Sequence, residues 1–587
     1  MSAPSSNPPQ TRRVLKPQPT IDPEEVDQQV KRKAHSRRVQ AEDLVSGSYL
    51  HKVAAENLET FQKMAPTRPL GGSVSLSWAS ACSGSEGPRF VLEAMADVYR
   101  SMGIACSFDH LFSCEINPEK RQWIQNLNKH MPECMQSLRD LNLHMFDEPH
   151  SEEDPLTDSM DCAEERLLGG TDMDTPCVFG DIADLAGEYA HCHEHDGQCK
   201  VHDPDLFVIG TSCKDLSRAN PSSAVRGQVV LGQSTSKGGS AQTFTGLKAF
   251  LEKHQPSMLL FENVDAIEDS KPSGGSNLEV LKSQLSALGY EGQVVKTDAL
   301  EFGLPCHRRR VFAFFVRVVA SPLFVFQDRP FDKVFETFRG LLAGCLRACP
   351  DSVDVLYAND IDAVQDELKA RESKRLKLKD AAKAMKSKAK ASAPANHGEN
   401  WVEHHMKFAQ TNHIKFSQKT QQADLAKNPW FLTLSEREQD ALALCRVEKP
   451  NVLCRDLSQS IARVNSNTWD KERALHVLPT MMPRMLLWLE LQYPNSPRLL
   501  LGQEALIMQG FPVVTFLRAL KQHGAAFEPS ESLMQDLAGN AMPLPVVLAM
   551  LQAGMCALSW RDGILSGCRK EGNLAKEKDR MSWTKSF

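Results

Sequence analysis

Cys213 stands in Gly210-Thr211-Ser212-Cys213-Lys214-Asp215-Leu216-Ser217, directly after the apolar run 206–209. A thiol on a loop at the end of a strand is placed to attack an electrophilic carbon, and the ammonium of Lys214 beside it would lower its pKa. The chain holds 16 cysteines, so the plainer reading of any one of them is a buried structural thiol. Glu262 ends a second apolar run in Phe261-Glu262-Asn263-Val264. A poorly solvated carboxyl there would have a raised pKa, which suits it to protonate or hydrogen-bond a ring nitrogen. Pro305-Cys306-His307-Arg308-Arg309-Arg310 leads into a third run at 311–316. Arginines entering a buried strand are unfavourable unless they meet anions or carboxylates.

Three further turns suit a nucleoside. Ala81-Cys82-Ser83-Gly84-Ser85-Glu86-Gly87 is a small-residue turn between an apolar run and a helical pattern, where backbone can approach a ligand closely. Cys114-Glu115-Ile116-Asn117 places an acid, about 30 residues on, where it can accept from both ribose hydroxyls. A helix N-cap acid would look the same. Gly180-Asp181-Ile182 offers a carboxylate for an exocyclic amine and an apolar side chain to stack on a purine. A separate cluster, His191-Cys192-His193-Glu194-His195 with Cys199 and His202, has residue types that suit Zn²⁺. Cys192, Cys199 and His202, with His191 nearby, could share one ion. The spacing fits no finger pattern, however, and no metal ligand is assigned from it.

These side chains need strands to hold them. Apolar runs at 74–81, 108–114, 177–179, 206–209, 258–261, 294–297 and 311–316 read as strands. Helical spacing fills 88–102, 244–251 and 277–288, and Pro118 opens another helix. Buried strands alternating with helices predict a doubly wound α/β sheet, whose ligands bind at the carboxyl ends of the strands.

The 587 residues equal about four domains of ordinary size. Hydrophobic residues make up 41% and charged residues 24%, which excludes a wholly disordered chain or a rod. The 68 basic and 74 acidic side chains give a net charge of −6, so contact with nucleic acid must come from local patches. Residues 1–20 lack the apolar core of a secretory leader. The longest apolar candidate for a membrane span, 311–326, is broken by Arg317 and Pro322. The scattered cysteines read as reduced thiols of a cytosolic or nuclear protein. Residues 1–70 read as a disordered tail with basic clusters at Lys31-Arg32-Lys33 and Arg37-Arg38. The stretch 371–390 holds nine Lys and Arg against two acids and reads as an exposed helix or linker.

The order of these turns resembles the DNA (cytosine-5) methyltransferase family. Glu262-Asn263-Val264 matches its Glu-Asn-Val motif, and Arg308 and Arg310 match its Arg-x-Arg pair. Arg498 through Gln509-Gly510-Phe511-Pro512 resembles the ninth motif, and Gly539-Asn540-Ala541 the tenth. The matches keep the family's order over residues 74–550. Four positions in three motifs depart from it. Ser212-Cys213-Lys214 stands where the family has Pro-Cys-Gln, Glu86 where the glycine-rich motif has a second glycine, and Cys306 where Gln is usual.

The resemblance implies a Rossmann-like S-adenosylmethionine-dependent fold with a smaller inserted target-recognition domain. It divides the chain into a catalytic part at 71–330, the insert at 331–495 and the rest of the catalytic domain at 496–562, with a tail at 563–587. It implies Cys213 as the nucleophile toward cytosine C6 and Glu262 as the group on N3. Arg308 and Arg310 would hold the base carbonyl and the nucleophile loop. For S-adenosylmethionine it implies Ala81, Cys82, Ser83 and Gly84 along the methionine part, and Glu115 with Ile116 at the ribose. Asp181 and Ile182 would sit at the adenine, with Asn540 and Ala541 completing the pocket. The segment 232–244 is placed to close over a flipped base. Double-stranded DNA is the implied partner and the nucleus the implied compartment. An RNA-directed enzyme of the same fold and a catalytically silent nucleic-acid-binding relative are the alternatives.

Overall fold

The computed structural model describes residues 37–64, 74–142, 175–218, 220, 229–231, 239–270, 274–318, 321, 323, 331–359, 361–388, 401–415, 423–492 and 496–558. Nine strands form the main sheet: β1 (Val74–Ala81), β2 (Cys106–Cys114), β3 (Cys177–Phe179), β4 (Tyr189–Cys192), β5 (Gly197–Lys200), β6 (Leu206–Gly210), β7 (Met258–Val264), β8 (Tyr290–Asp298) and β9 (Arg309–Arg317). Their order is β5-β4-β3-β2-β1-β6-β7-β9-β8. The central five run parallel. β9 inserts antiparallel between β7 and β8, and the β4–β5 hairpin extends the opposite edge. This is the doubly wound sheet expected from the alternating apolar runs.

Every residue of β7 is buried, as a central parallel strand covered on both faces requires. Side chains alternate between two cores. Leu206, Val208, Phe312 and Phe314 face the one built with Phe90, Trp123 and Leu548, whereas Phe207, Ile209, Ala313 and Phe315 face the one built with Phe244 and Phe250. The helix Leu544–Ala557 is apolar on all sides because it packs among the helices Gly87–Ser101, Tyr49–Met64 and Phe331–Ala343 and against β9. The stretch Glu531–Ala557 is long and apolar enough to cross a membrane, yet most of it lies in this core.

Two domain boundaries differ from the sequence reading. Part of the expected tail is folded: Ala41–Ser46 and Tyr49–Met64 are helices. Leu50, Val53, Ala54, Leu58 and Phe61 recur at helical spacing and are buried in the main core. Asn57 Nδ2 donates to Gln552 Oε1 at 2.8 Å, and Tyr49 OH donates to the Gly510 carbonyl at 2.7 Å. Arg37 is anchored too, its Nη1 donating to the Gly344 carbonyl. The cluster Lys31-Arg32-Lys33 lies outside the described residues.

The insert also begins later than residue 331. Phe331–Ala343 and Ser352–Ala358 place Val334, Phe338, Leu341, Val355 and Leu356 in the main core, with Phe338 stacked on Phe314 at 5.9 Å. From residue 361 a separate core forms around Val364, Trp430, Leu442, Cys445 and Trp488. The long helix Ile361–Lys388 carries most of the basic stretch, with Leu376 and Leu378 exposed on it.

Candidate active site

The chain order reverses between β1 and β6, which opens a crevice at the carboxyl ends of the parallel strands. A single cavity of about 500 Å³ occupies it. Cys82, Gly84, Glu115, Ile116, Asp181 and Ile182 line one part, Cys213, Glu262, Arg308 and Arg310 another, and Gly539 and Asn540 close it. Thus one cavity gathers most of the side chains singled out in the sequence. Ala81, Ser83 and Ala541 are not among its lining residues. Ala81 and Ala541 are buried in the packing, and Ser83 Oγ hydrogen-bonds to Ser80 Oγ at 2.6 Å.

Glu115 closes β2 and is nearly buried. Its Oε2 accepts from Gly84 N–H and its Oε1 from Asn117 N–H, each at 2.9 Å. The helix N-cap role belongs to Asn117, so the Glu115 carboxylate faces the turn after β1. Cys82 and Glu86 take the left-handed conformation in that turn, with φ of 53° each, as does Gly84 at 51°. A glycine would suit residue 86 better, which accounts for the family's preference there. In this chain both Glu86 carboxylate oxygens accept from Ser80 Oγ at 2.9 Å, and burial holds the carboxyl above the usual range. Asp181 is exposed and caps a short helical turn by accepting from Ala183 N–H, while Ile182 is buried beside it.

At the other end, Glu262 pairs with Arg310, whose Nε lies 3.0 Å from Oε1. Burial raises the Glu262 carboxyl above its ordinary value, against the pull of Arg310 and Arg308. Burial also raises the Cys213 thiol, while Arg310 chiefly lowers it. The cations acting on the thiol are therefore Arg310 and, more weakly, Arg308, rather than the exposed Lys214, which corrects the sequence expectation. Arg308 lines the cavity as well. Its guanidinium is fully buried and donates to the carbonyls of Met481 and Gly539 at 3.2 Å, so it ties β9 to the cavity's far wall. Burial lowers its pKa to about 9. Gly539 has no room for a side chain, since a Cβ there would lie 2.1 Å from the Pro483 nitrogen.

Sequence reasoning missed the partner that holds the loop carrying Cys213. Asn263 Nδ2 donates to Thr211 Oγ1 at 2.7 Å and to the Thr211 carbonyl at 3.1 Å. Ser212, where the family has proline, uses its N–H to donate to Thr243 Oγ1 at 3.3 Å. Hydrogen bonds thus order the loop that a proline ring would otherwise restrain. The signal for Asn263 was its place in Glu-Asn-Val. Gln242, Thr243 and Lys120 also line the cavity without any motif to mark them. Lys120 pairs with Asp536 at 2.8 Å. Cys306 is buried away from the cavity, its thiol donating to the Met508 carbonyl at 2.9 Å, so that departure leaves the lining unchanged. Of the segment 232–244, residues 232–238 lie outside the described residues, and Ser240–His254 is a helix.

A parallel sheet in the order β3-β2-β1-β6-β7, the reversed strand β9 inserted between β7 and the edge strand β8, and one crevice across the switch point define a Rossmann-like methyltransferase fold. The model of the C-5 cytosine-specific DNA methylases matches residues 175–554, and the chain belongs to that family. It is similar to the DNA (cytosine-5-)-methyltransferase DMT5 of Cryptococcus neoformans var. grubii, with 24% identity over 529 residues, 88% of this chain and 18% of that protein. It is also similar to the Type II methyltransferase M.AgeI of Thalassovita gelatinovora, 41% identical over 73 residues, which cover 12% of this chain and 17% of the other. The chain thus spans under a fifth of the length of either relative. The Dnmt2 methyltransferase structure from S. pombe aligns over 82% of this chain and 98% of its own, with 12% identity and a TM-score of 0.32.

Proposed function

We propose that this chain transfers a methyl group from S-adenosylmethionine to C5 of cytosine in DNA through a covalent adduct on Cys213. The observation that carries the reading is that Cys213, Glu262 and Arg310 open into the same cavity as Glu115, Asp181 and Ile182. The donor set suits the cofactor. Each Glu115 oxygen accepts one backbone N–H, leaving lone pairs for ribose hydroxyls, and Ile182 offers an apolar surface to the adenine. The family and fold imply this cofactor, which when bound would supply an electrophilic methyl group.

The remaining work falls to the protein. Arg310 stabilises the Cys213 thiolate that attacks C6 of the ring. Burial favours the protonated form of Glu262, which gives its proton to N3, so the ring accepts the thiolate's electron pair without gaining net charge. Addition at C6 makes C5 electron-rich toward the methyl group the cofactor would supply; loss of the C5 proton, expulsion of the thiolate and return of the N3 proton to the Glu262 carboxylate then restore the ring. A duplex hides both carbons, so the base must be rotated out of the stack. The basic helix Ile361–Lys388 is suited to phosphates, with a salt-dependent contribution. A DNA substrate and a fungal relative support the nucleus as the compartment.

The test is trapping. DNA with 5-fluorocytosine at the target cannot lose fluorine as a cation, so the chain with S-adenosylmethionine should form an adduct that survives denaturing electrophoresis. An adduct with the RNA analogue alone would redirect the reading to RNA, and none with either would support the silent alternative.

Glu262→Gln is expected to lower methyl transfer about 10²- to 10⁴-fold. In the wild type, activity should fall at alkaline pH as Glu262 loses its proton, and rise from acid pH as the Cys213 thiolate forms. The alkaline decline should disappear in the variant, and a decline that persisted would assign the proton to another group. Asn263→Ala should slow transfer about 10- to 100-fold by loosening the loop at Thr211. Cofactor affinity, read by calorimetry, should stay unchanged; a matching loss of affinity would mean that the variant has collapsed the whole cavity.

A further inference from the structure

Three thiols and one imidazole meet at the edge of the main sheet, in a different combination from the one the sequence suggested. Cys177 opens β3, Cys192 closes β4 and Cys199 lies on β5. His195 lies in the turn 193–196 between β4 and β5. Cys192 Sγ and Cys199 Sγ are each 3.4 Å from His195 Nδ1, and Cys177 Sγ is 3.6 Å from it. All four ligand atoms lie within 4.8 Å of one another. A tetrahedral ion with Zn–S of about 2.3 Å and Zn–N of about 2.05 Å sets S···N edges of about 3.6 Å and S···S edges of about 3.8 Å. The observed spacings fit around one such ion. His191 and His202 do not join the group; the His191 ring packs edge-on against His193 at 4.8 Å.

The surroundings prepare the donors. Thr175 Oγ1 lies 3.3 Å from His195 Nε2. With the proton on Nε2 and donated to Thr175, Nδ1 turns its lone pair toward the three sulfurs. Val178 N–H donates to Cys192 Sγ at 3.3 Å, an interaction that favours thiolate. Asp196 adopts the left-handed conformation, φ 48°, which folds His195 back over the hairpin.

We propose that Cys177, Cys192, His195 and Cys199 bind one Zn²⁺ ion as a closed structural site. The proposal goes beyond the methyl-transfer reading and does not depend on it. With four protein ligands the ion has no open position for a substrate. It cross-links β3 to the β4–β5 hairpin, where the ladder between β3 and β4 holds only the pair Phe179 and Cys192. Gly180-Asp181-Ile182 follows β3 directly, so the ion steadies that wall of the cavity. His193 supports the same joint, its N–H donating to the Val178 carbonyl at 2.7 Å and its ring lying against Gly180.

The experiment is metal analysis of the full chain purified without chelators, by element-specific and native mass spectrometry. The wild type should carry about one zinc per chain. Cys177→Ser and Cys199→Ser should each lose it, while His191→Ala and His202→Ala should keep it. Thr175→Ala should bind zinc about 10-fold more weakly in competition with a chromophoric chelator. Zinc-free wild type, zinc retained in the Cys177→Ser/Cys199→Ser double variant, or a wild-type mass two hydrogens light from a disulfide would each overturn the proposal. Should the serine variants fail to fold, Co²⁺ exchange into the wild type decides. The strong visible bands of four-coordinate cobalt with thiolate charge transfer are expected, and weak six-coordinate bands would refute the site.

Discussion

Cys213→Ser is expected to abolish the adduct with 5-fluorocytosine DNA and to lower methyl transfer by about 10⁴-fold or more. Burial already raises the Cys213 thiol, and Arg310, with a lesser pull from Arg308, offsets part of that rise. A hydroxyl is a far weaker acid, and the same two arginines cannot bring it into a useful range. Glu115, Asp181 and Ile182 line another part of the cavity and are untouched, so cofactor affinity should remain. Retention of full transfer by this variant would show that another group attacks the base. Retention of binding with loss of the adduct separates a missing nucleophile from a misfolded chain.

The largest expected effect on stability lies outside the cavity. Arg498, where the ninth motif of the family begins, is fully buried and forms a two-point ion pair with Glu504 at 2.8 and 2.7 Å. Glu504 also accepts from Leu501 N–H and from Asn359 Nδ2. Glu504→Ala leaves a buried guanidinium whose remaining acceptor is the Leu499 carbonyl, and should destabilise the fold by about 3–5 kcal/mol. The urea midpoint measures it. Replacing both partners by apolar residues, Arg498→Met with Glu504→Leu, should recover most of the loss because no charge is left unpaired. If the double variant were as unstable as the single one, the pair would be doing something other than neutralising a buried charge.

The turns that face the cavity were easier to read from the sequence than the packing around them. Strand-end turns announce themselves because buried runs stop abruptly at polar residues, as at Glu115, Asp181, Cys213 and Glu262. What escaped were features that depend on distant partners. The segment 49–64 carries helical spacing, but its polar residues equal its apolar ones in number, and the roles of Asn57 and Tyr49 appear only in their distant partners Gln552, Arg347 and Gly510. Helices at 331–358 lie in sequence beside the insert and in space beside Phe314. Cys177 could not be grouped with Cys192 and Cys199 because the antiparallel turn that brings β4 back to β3 was not foreseen. Arg308 and Arg310 look equivalent as a motif. Arg310 lies on β9 and pairs with Glu262, whereas Arg308, just before the strand, donates to the carbonyls of Met481 and Gly539.

That last anchoring has a consequence for synthesis. The ribosome delivers Cys213 and Glu262 early, whereas Gly539 and Asn540 follow roughly 330 residues after the cysteine, with the whole insert in between. At about 5–20 residues per second this is a delay on the order of tens of seconds. From its own synthesis until Met481 emerges the Arg308 guanidinium lacks both of its later acceptors, and Gly539 follows only afterwards. The growing chain therefore holds its reactive thiol before it holds the pocket that directs it, and competence arrives in one late step when the last segments dock.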